Sequence, residues 1–222
     1  MNSKYIKEAA QSLGADLCGI GGIERIKEAP EGFHPLDVFK GTNSIIVFAM
    51  ESPKGLFEVE TNVPYTMIKN KLADKLNEIS MAIVRELDKE GYTAIPIPAD
   101  EPYEYWDQER MEGRGILSLK HLAVAAGIGT IGKNTILINK TYGNRLYLGA
   151  VLTDAVLEED PLAEKLCIEG CSKCIDACPG KALTGEGIKQ IKCRKVCGHS
   201  TPGGGFVYAC NVCRKSCPFA RI

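Results

Sequence analysis

Nine of the ten cysteines in this 222-residue chain fall within residues 167–222, and two of their groupings end alike: Cys171-Ser-Lys-Cys174-Ile-Asp-Ala-Cys178-Pro179 and Cys210-Asn-Val-Cys213-Arg-Lys-Ser-Cys217-Pro218. A C-x2-C-x3-C-P run given twice is the thiolate spacing that holds a pair of 4Fe-4S clusters, the proline-preceding cysteine of each run reaching across to the other cluster. Such a segment is expected to depend on metal for its fold, since roughly 60 residues bury too little apolar surface to be secure alone.

Other readings of the thiols fit less well. A disulfide framework expects an oxidising compartment. Met1-Asn2-Ser3-Lys4 instead opens into a charged amphipathic segment without an apolar signal core, and no apolar run of about 18 residues follows. A cytoplasmic chain without membrane attachment is expected. A four-thiolate zinc site would use the two C-x2-C pairs, yet it gives no reason for a third cysteine and a proline to follow each pair at one interval.

Two clusters need eight thiolates. Beyond the six in the runs, Cys167 lies just upstream of the first, and Cys193 and Cys197 lie between the two. Crossing over of the proline-preceding cysteines assigns Cys167, Cys171, Cys174 and Cys217 to one cluster and Cys178, Cys193, Cys210 and Cys213 to the other, leaving Cys197 free. The first arm of each set departs from the regular spacing, so Cys193 and Cys197 compete for one place.

Charge divides at the same point. Residues 165–222 carry ten Lys/Arg against three Asp/Glu, while residues 1–164 carry seventeen against twenty-five. A basic end is one mark of nucleic-acid binding. The simpler account is favoured: each oxidised cluster with four thiolates carries about two negative charges, which neighbouring lysines offset while tuning its potential.

The acidic turn Glu158-Glu159-Asp160-Pro161 is the expected boundary between residues 1–160, a larger cofactor-binding domain, and residues 161–222, the cysteine domain. Lys4 to Leu13 reads as a helix stopped by Gly14, followed by the apolar stretch Leu17-Cys18-Gly19-Ile20. Ser44 to Met50 is a β-branched apolar run, short enough for a buried strand. Ile68, Leu72, Leu76, Ile79, Ile83 and Leu87 mark one face of a long helix that Gly91 ends. Tyr92 to Pro98 reads as a strand, and Thr135 to Asn139 with Leu146 to Leu152 as a hairpin about Tyr142-Gly143-Asn144. Cys18, in a predicted buried strand, is an inert small hydrophobe, and His34, His121 and His199 are too scattered for a histidine metal site.

Ile116 to Ala126 looks helical and leads into Gly127-Ile128-Gly129-Thr130-Ile131-Gly132-Lys133-Asn134. The segment satisfies both G-x-G-x-x-G and G-x-x-x-x-G-K. Both nucleotide motifs follow a strand, however, and a P-loop needs Ser or Thr where this chain has Asn134. Two readings stay open: a tight helix-to-strand turn, or a loop presenting backbone N–H groups and Lys133 to a cofactor phosphate.

Taken in order, Gly127 to Asn134, Leu148-Gly149-Ala150-Val151-Leu152-Thr153-Asp154 and the two cysteine runs resemble the epoxyqueuosine reductase family, relatives of the reductive dehalogenases. Leu13-Gly14-Ala15-Asp16 and Ser44-Ile45-Ile46-Val47 are similar to that family's N-terminus. The resemblance implies an α+β fold: a nitroreductase-like, cobalamin-binding sandwich domain followed by a small ferredoxin-like domain with two clusters. It also implies an anaerobic reductase in which electrons from a donor such as ferredoxin or flavodoxin pass through two 4Fe-4S clusters to base-off cobalamin. FMN, with an electron-carrier role toward a partner protein, is the alternative. Gly127, Gly129, Gly132, Lys133 and Asn134 are expected to wall the organic-cofactor pocket together with residues 99–115, whose Tyr103, Tyr105 and Trp106 would form an aromatic lid.

The family's proposed acid is an aspartate at the end of the strand before the Gly-rich segment, and Asp100 stands at the matching position. The stretch from Asp100 to Gly127 is longer than in epoxyqueuosine reductases, which also admits Glu101, Asp107 and Glu112. Those enzymes carry a helical-repeat region after the clusters that helps hold transfer RNA, whereas this sequence ends at Ile222. A small-molecule or nucleoside-like substrate is therefore expected, with tRNA doubtful.

Overall fold

Residues 2–220 are described by the computed structural model. The first part of the chain runs α1 (Ser3–Ser12), β1 (Leu17–Gly22), α2 (Pro35–Val38), β2 (Ser44–Glu51), α3 (Val63–Lys89) and β3 (Ala94–Ile97). There follow β4 (Tyr105–Asp107), β5 (Glu112–Arg114), α4 (Leu119–Ala125), β6 (Thr130–Ile131), β7 (Leu137–Ile138) and β8 (Leu146–Thr153). The cysteine segment adds α5 (Lys173–Asp176), α6 (Gln190–Cys197), β9 (His199–Ser200), β10 (Phe206–Val207) and α7 (Val212–Lys215).

The main sheet has the order β1-β2-β8-β3, with every pair antiparallel. Successive side chains on a strand point to opposite faces. On one face Ile46, Phe48 and Val151 pack against Ile6 of α1 and Leu76, Ile79, Ile83 and Leu87 of α3. On the other, Ile45, Val47, Ala150 and Leu152 pack against Leu122 and Ala123 of α4. Helices cover both faces, which is why β2 and β8 read as unbroken apolar runs. The long helix ends as expected: Gly91 takes φ 83°, and Tyr92 N–H returns to the Leu87 carbonyl at 3.0 Å.

The hairpin expected from Thr135–Asn139 and Leu146–Leu152 does not form. β7 pairs with β6, and only the Asn139–Gly143 bridge closes the intervening turn. β8 instead lies at the sheet centre between β2 and β3. An eight-residue strand that is almost wholly buried needs partners along both edges, which a two-residue neighbour cannot supply.

The acidic turn after β8 is fastened to the edge of the sheet. Asp160 accepts from Lys7 Nζ at 2.5 Å and from the Ile20 N–H at 2.8 Å, and Arg25 pairs with Glu159 at 2.5 Å. No helix among the described residues is long and apolar enough to cross a membrane.

β1 lies close to the end of α4 because it carries glycine there: a Cβ on Gly19 would stand 2.3 Å from the Ala126 carbonyl oxygen, and one on Gly21 2.4 Å from that of Ala125. Gly19→Ala should therefore cost about 1–3 kcal/mol, the usual penalty of overpacking. Denaturant unfolding followed by far-UV circular dichroism reads this, and an unchanged midpoint would show that β1 and α4 are free to separate.

Candidate functional site

Each cysteine run wraps one short helix. Cys174 sits in α5 and Cys213 in α7, with the other cysteines of each run immediately before and after. The thiols of Cys167, Cys171, Cys174 and Cys217 line one small cavity, closed by Lys133, Asn134, Ile138 and Phe219. Three of these thiols come from the first run's side and one ends the second.

The remaining thiols form a second neighbourhood. Burial pushes the Cys213 thiol up to about 11, with Cys210, Cys178 and Cys174 also contributing as near neighbours. Cys193 is pushed up first by its hydrogen bond to Cys197, then by burial, with Cys213 and Cys210 beside it. The same bond pulls the Cys197 thiol down. No group of three or more His, Cys, Asp or Glu among the described residues closes around a single ion. The four ligands of an iron-sulfur cube stand around a larger body than one ion.

The Gly-rich loop turns toward the cysteines. Lys133 Nζ donates to the Cys171 carbonyl at 2.9 Å and Asn134 Nδ2 to the Cys213 carbonyl at 3.2 Å. The Gly127 and Gly132 N–H groups are bound by the Val124 and Ile136 carbonyls. A Cβ on Gly127 would meet the Pro161 oxygen at 2.2 Å, and one on Gly129 the Ile138 oxygen at 2.3 Å. The glycines permit close backbone approach. The single pocket expected between this loop and residues 99–115 thus separates into two, because Lys133, Asn134 and the Gly127 and Gly132 amides are already bound by protein carbonyls.

Asp100, Glu101, Tyr103 and Trp106 face a different and larger cavity, of about 1040 Å3, between α3 and the α6–β10 region. Asn70, Asp74 and Asn77 of α3 line it, with Asp100, Tyr103, Trp106, Arg194, Cys197 and Tyr208. Asn77 Oδ1 accepts from the Ala99 N–H at 2.9 Å and so fixes the chain at Asp100.

Asp100 forms a short ion pair with Lys69, whose Nζ also donates to the Tyr208 hydroxyl at 2.5 Å and lies 4.2 Å from the ring centre. Burial alone would pull Lys69 down, but its hydrogen bonds to Asp100 and Tyr208 outweigh that and hold it above the ordinary lysine value. Burial pushes Tyr208 up, and the Lys69 charge opposes it.

The four candidate carboxylates are thereby separated. Asp100 and Glu101 line the cavity, whereas Asp107 pairs with Arg110 and Glu112 with Arg114. The aromatic segment divides too. Tyr103 and Trp106 wall the cavity beneath Arg194, at 5.4 and 4.7 Å from its guanidinium, while Tyr105 packs against Arg114. Gln190 of α6 clamps both backbone groups of Gly113, at 3.0 and 3.1 Å. Lys69, Tyr208, Gln190 and Arg194 escaped the sequence reading; only the position of Tyr208, two residues before Cys210, hinted at any of them. Burial pushes the Cys18 thiol up to about 12, as suits an inert residue.

No protein-family model matches the chain. Among curated proteins, the epoxyqueuosine reductase of Bacillus cereus is 34% identical over 241 aligned residues, covering 94% of this chain and 62% of that one. The chain thus spans less than two thirds of that relative's length. Its fold is the mixed α/β fold of solved epoxyqueuosine reductases and reductive dehalogenases. One, an epoxyqueuosine reductase solved with an epoxyqueuosine-modified tRNA stem loop, superposes with a TM-score of 0.71 at 21% identity, over 98% of this chain and 65% of that one. Another is a reductive dehalogenase associated with B12-dependent dehalogenation, with a TM-score of 0.68 at 19% identity, over 98% of this chain and 31% of that one.

These findings overturn the doubt about tRNA. That doubt rested on where the given sequence ends, whereas the curated relatives it matches are epoxyqueuosine reductases and one such enzyme has been solved with a tRNA stem loop.

The Lys69 network yields a test independent of any cofactor. Lys69→Met removes the cation that opposes burial at Tyr208, so the phenol pKa should move further up. Titration of 13C-tyrosine-labelled protein by NMR measures it, and an unmoved Tyr208 resonance would mean that the two groups are not coupled.

Proposed function

We propose, from its similarity to epoxyqueuosine reductases over 94% of its length, that this chain is an iron-sulfur, corrinoid-dependent reductase acting on a modified nucleoside carried in tRNA. One observation carries the reading. The large cavity has Cys197, hydrogen-bonded to Cys193, on one wall and Asp100, tied to Lys69 and Tyr208, on another. Cys193, a candidate cluster ligand, thus stands directly behind one wall of the space, and a proton-handling carboxylate stands on another.

In this reading residues 1–160 form a nitroreductase-like sandwich domain and residues 161–222 a ferredoxin-like double-cluster domain. Cys167, Cys171, Cys174 and Cys217 hold the first 4Fe-4S cluster, which suits four thiols lining one cavity. Cys178, Cys193, Cys210 and Cys213 hold the second, nearer the large cavity. When bound, the clusters supply single electrons and the corrinoid a reducing cobalt centre. The large cavity fits a corrinoid on two counts: its volume stands at the upper end of ordinary ligand pockets, and Tyr103 and Trp106 offer aromatic faces to a broad flat ring.

The chain's own residues do the remaining work. Asp100 delivers a proton to the substrate. Lys69 orients the Asp100 carboxylate and links it to the Tyr208 hydroxyl, a second proton-bearing group. The Trp106–Tyr103 wall, held down by Arg194, limits water at that end. The exposed Lys189, Lys192 and Lys195 give the cysteine segment a basic face suited to a phosphate backbone.

Anaerobic reconstitution should give about eight iron and eight sulfide per chain. Cys197→Ser should keep them, while Cys193→Ser loses a cluster; the reverse pattern would exchange their roles. Titration with cob(II)alamin should produce the base-off cobalt EPR spectrum, and tight FMN binding without that spectrum would replace the corrinoid by a flavin. Asp100→Asn should leave iron and corrinoid binding intact while slowing turnover by roughly 10²–10⁴-fold. Unaltered turnover would remove Asp100 from proton delivery and leave Glu101, the other carboxylate lining the cavity.

A further inference from the structure

Phe206 lines the large cavity yet is 52% exposed, and Met67 of α3, 55% exposed, lines the same cavity. The Phe206 ring is nevertheless held in place. A Cβ on Gly198 would stand 2.3 Å from Phe206 Cζ, so the ring lies directly over that glycine. Gly198 takes φ −171°, extended backbone open to any residue, so glycine is needed there for the ring alone.

β10 is fastened to the start of α3. The Tyr208 N–H donates to Thr66 Oγ1, and Asn62 Nδ2 donates to the Ala209 carbonyl, both at 2.9 Å. Phe206 meets the Tyr208 ring edge-on at 5.1 Å between centres, and the Tyr208 hydroxyl accepts from Lys69, the partner of Asp100. A fixed aromatic face thus stands at the rim of the cavity, one ring away from the network that holds Asp100.

α6 brings charge to the same rim. Gln190, Arg194 and Cys197 share one side of the helix: Gln190 holds Gly113, and the other two line the cavity. Lys189, Lys192 and Lys195, each three residues from the next, share another side and are exposed. His199 of β9, also exposed, stands opposite Val207, the neighbour of Phe206. Cations in a row beside an aromatic face suit a single-stranded nucleic acid, whose backbone follows the charges while a base stacks on the ring. An apolar protein segment would cover Phe206 and Met67 but offers nothing to the lysines. We infer that Phe206 is a positioning residue: it stacks on an unpaired RNA base flanking the nucleoside that enters the cavity, and the backbone of that loop runs along the α6 lysines. The inference deepens the tRNA reading and rests on it.

The test uses the reconstituted chain and a dye-labelled tRNA stem loop carrying epoxyqueuosine, with binding read by fluorescence anisotropy. Phe206→Ala should weaken binding by about ten- to a hundredfold, the scale of one base–aromatic stack. Phe206→Tyr, which keeps an aromatic face, should bind as the wild type does. In anaerobic turnover Phe206→Ala should raise KM and leave kcat at saturation in place. Two further stem loops are abasic on one side or the other of the epoxyqueuosine, and on one of them wild type and Phe206→Ala should bind alike. Lys192→Gln should lower the salt dependence of binding, whereas Phe206→Ala should not. Iron content and circular dichroism serve as controls for folding.

Equal binding of the stem loop by wild type and Phe206→Ala overturns the inference and leaves the tRNA reading standing. A loss in Phe206→Ala that is undiminished on both abasic loops would reduce the ring to a prop for the β9–β10 hairpin and overturn the inference as well. Binding that Phe206→Ala loses and Phe206→Tyr keeps, without turnover by any form, supports the stacking site and removes the reductase activity. Failure of the wild-type chain to bind any of the stem loops overturns the inference together with the tRNA reading.

Discussion

The stretch from Lys133 to Arg145 ties the cysteine segment to the sheet, and the geometry of everything near the cavities depends on it. Lys133 reaches the Cys171 carbonyl and Asn134 that of Cys213. Asn144 donates its side-chain amide to Arg214 and its backbone N–H to Phe219, while Arg214 returns a bond to the Asn144 carbonyl. One element of the larger part of the chain thereby fixes both cysteine runs at once. Such anchoring matters because the cysteine segment has little core of its own: from residue 161 onward Cys174, Ala182, Leu183 and Ala220 are the buried hydrophobic residues among those described. Backbone carbonyls near the thiols are bound from outside, and in the proposed reading metal would organise the thiols themselves.

α3 serves two purposes from opposite sides. Leu76, Ile79, Ile83 and Leu87 fill the core under the sheet, while Lys69, Asn70, Asp74 and Asn77 face the Asp100 side. Packing of the apolar stripe therefore determines where Lys69 stands relative to Asp100. The same helix fixes the end of β3 through the Asn77–Ala99 bond, so Asp100 and Lys69 are positioned by one rigid body. A site built on a regular element in this way is held more closely than one carried by loops alone.

Much of this was legible in the sequence where the signal is local. The repeated cysteine spacing, the helix that became α3 and the strand that became β2 each carry a period or interval that one segment reveals by itself. The misses are non-local. The partners of β8 lie in strands roughly 50 to 100 residues away, so adjacency along the chain suggested a hairpin that the sheet does not contain. Lys69 and Tyr208 are 139 residues apart, and neither is marked by spacing. The Gly-rich loop misled because its glycines answer a steric need, close approach to Pro161 and Ile138, that a phosphate-binding loop would share. The doubt about tRNA came from an absence, and an absence carried less than the aligned residues did.

The β4–β5 hairpin shows how the cavity depends on the cysteine segment. Two three-residue strands cannot persist alone in water. Their support comes from α6: Gln190 binds both backbone groups of Gly113, and Arg194 covers Trp106 and Tyr103. A Cβ on Gly113 would come within 2.9 Å of Arg194 and 3.1 Å of Trp106, so this contact admits no larger residue without movement. Arg194 is also flanked in the helix by Cys193 and Cys197. Whatever orders that helix around its thiols consequently orders one wall of the large cavity, and the aromatic faces next to Asp100 are set from the cysteine side of the molecule.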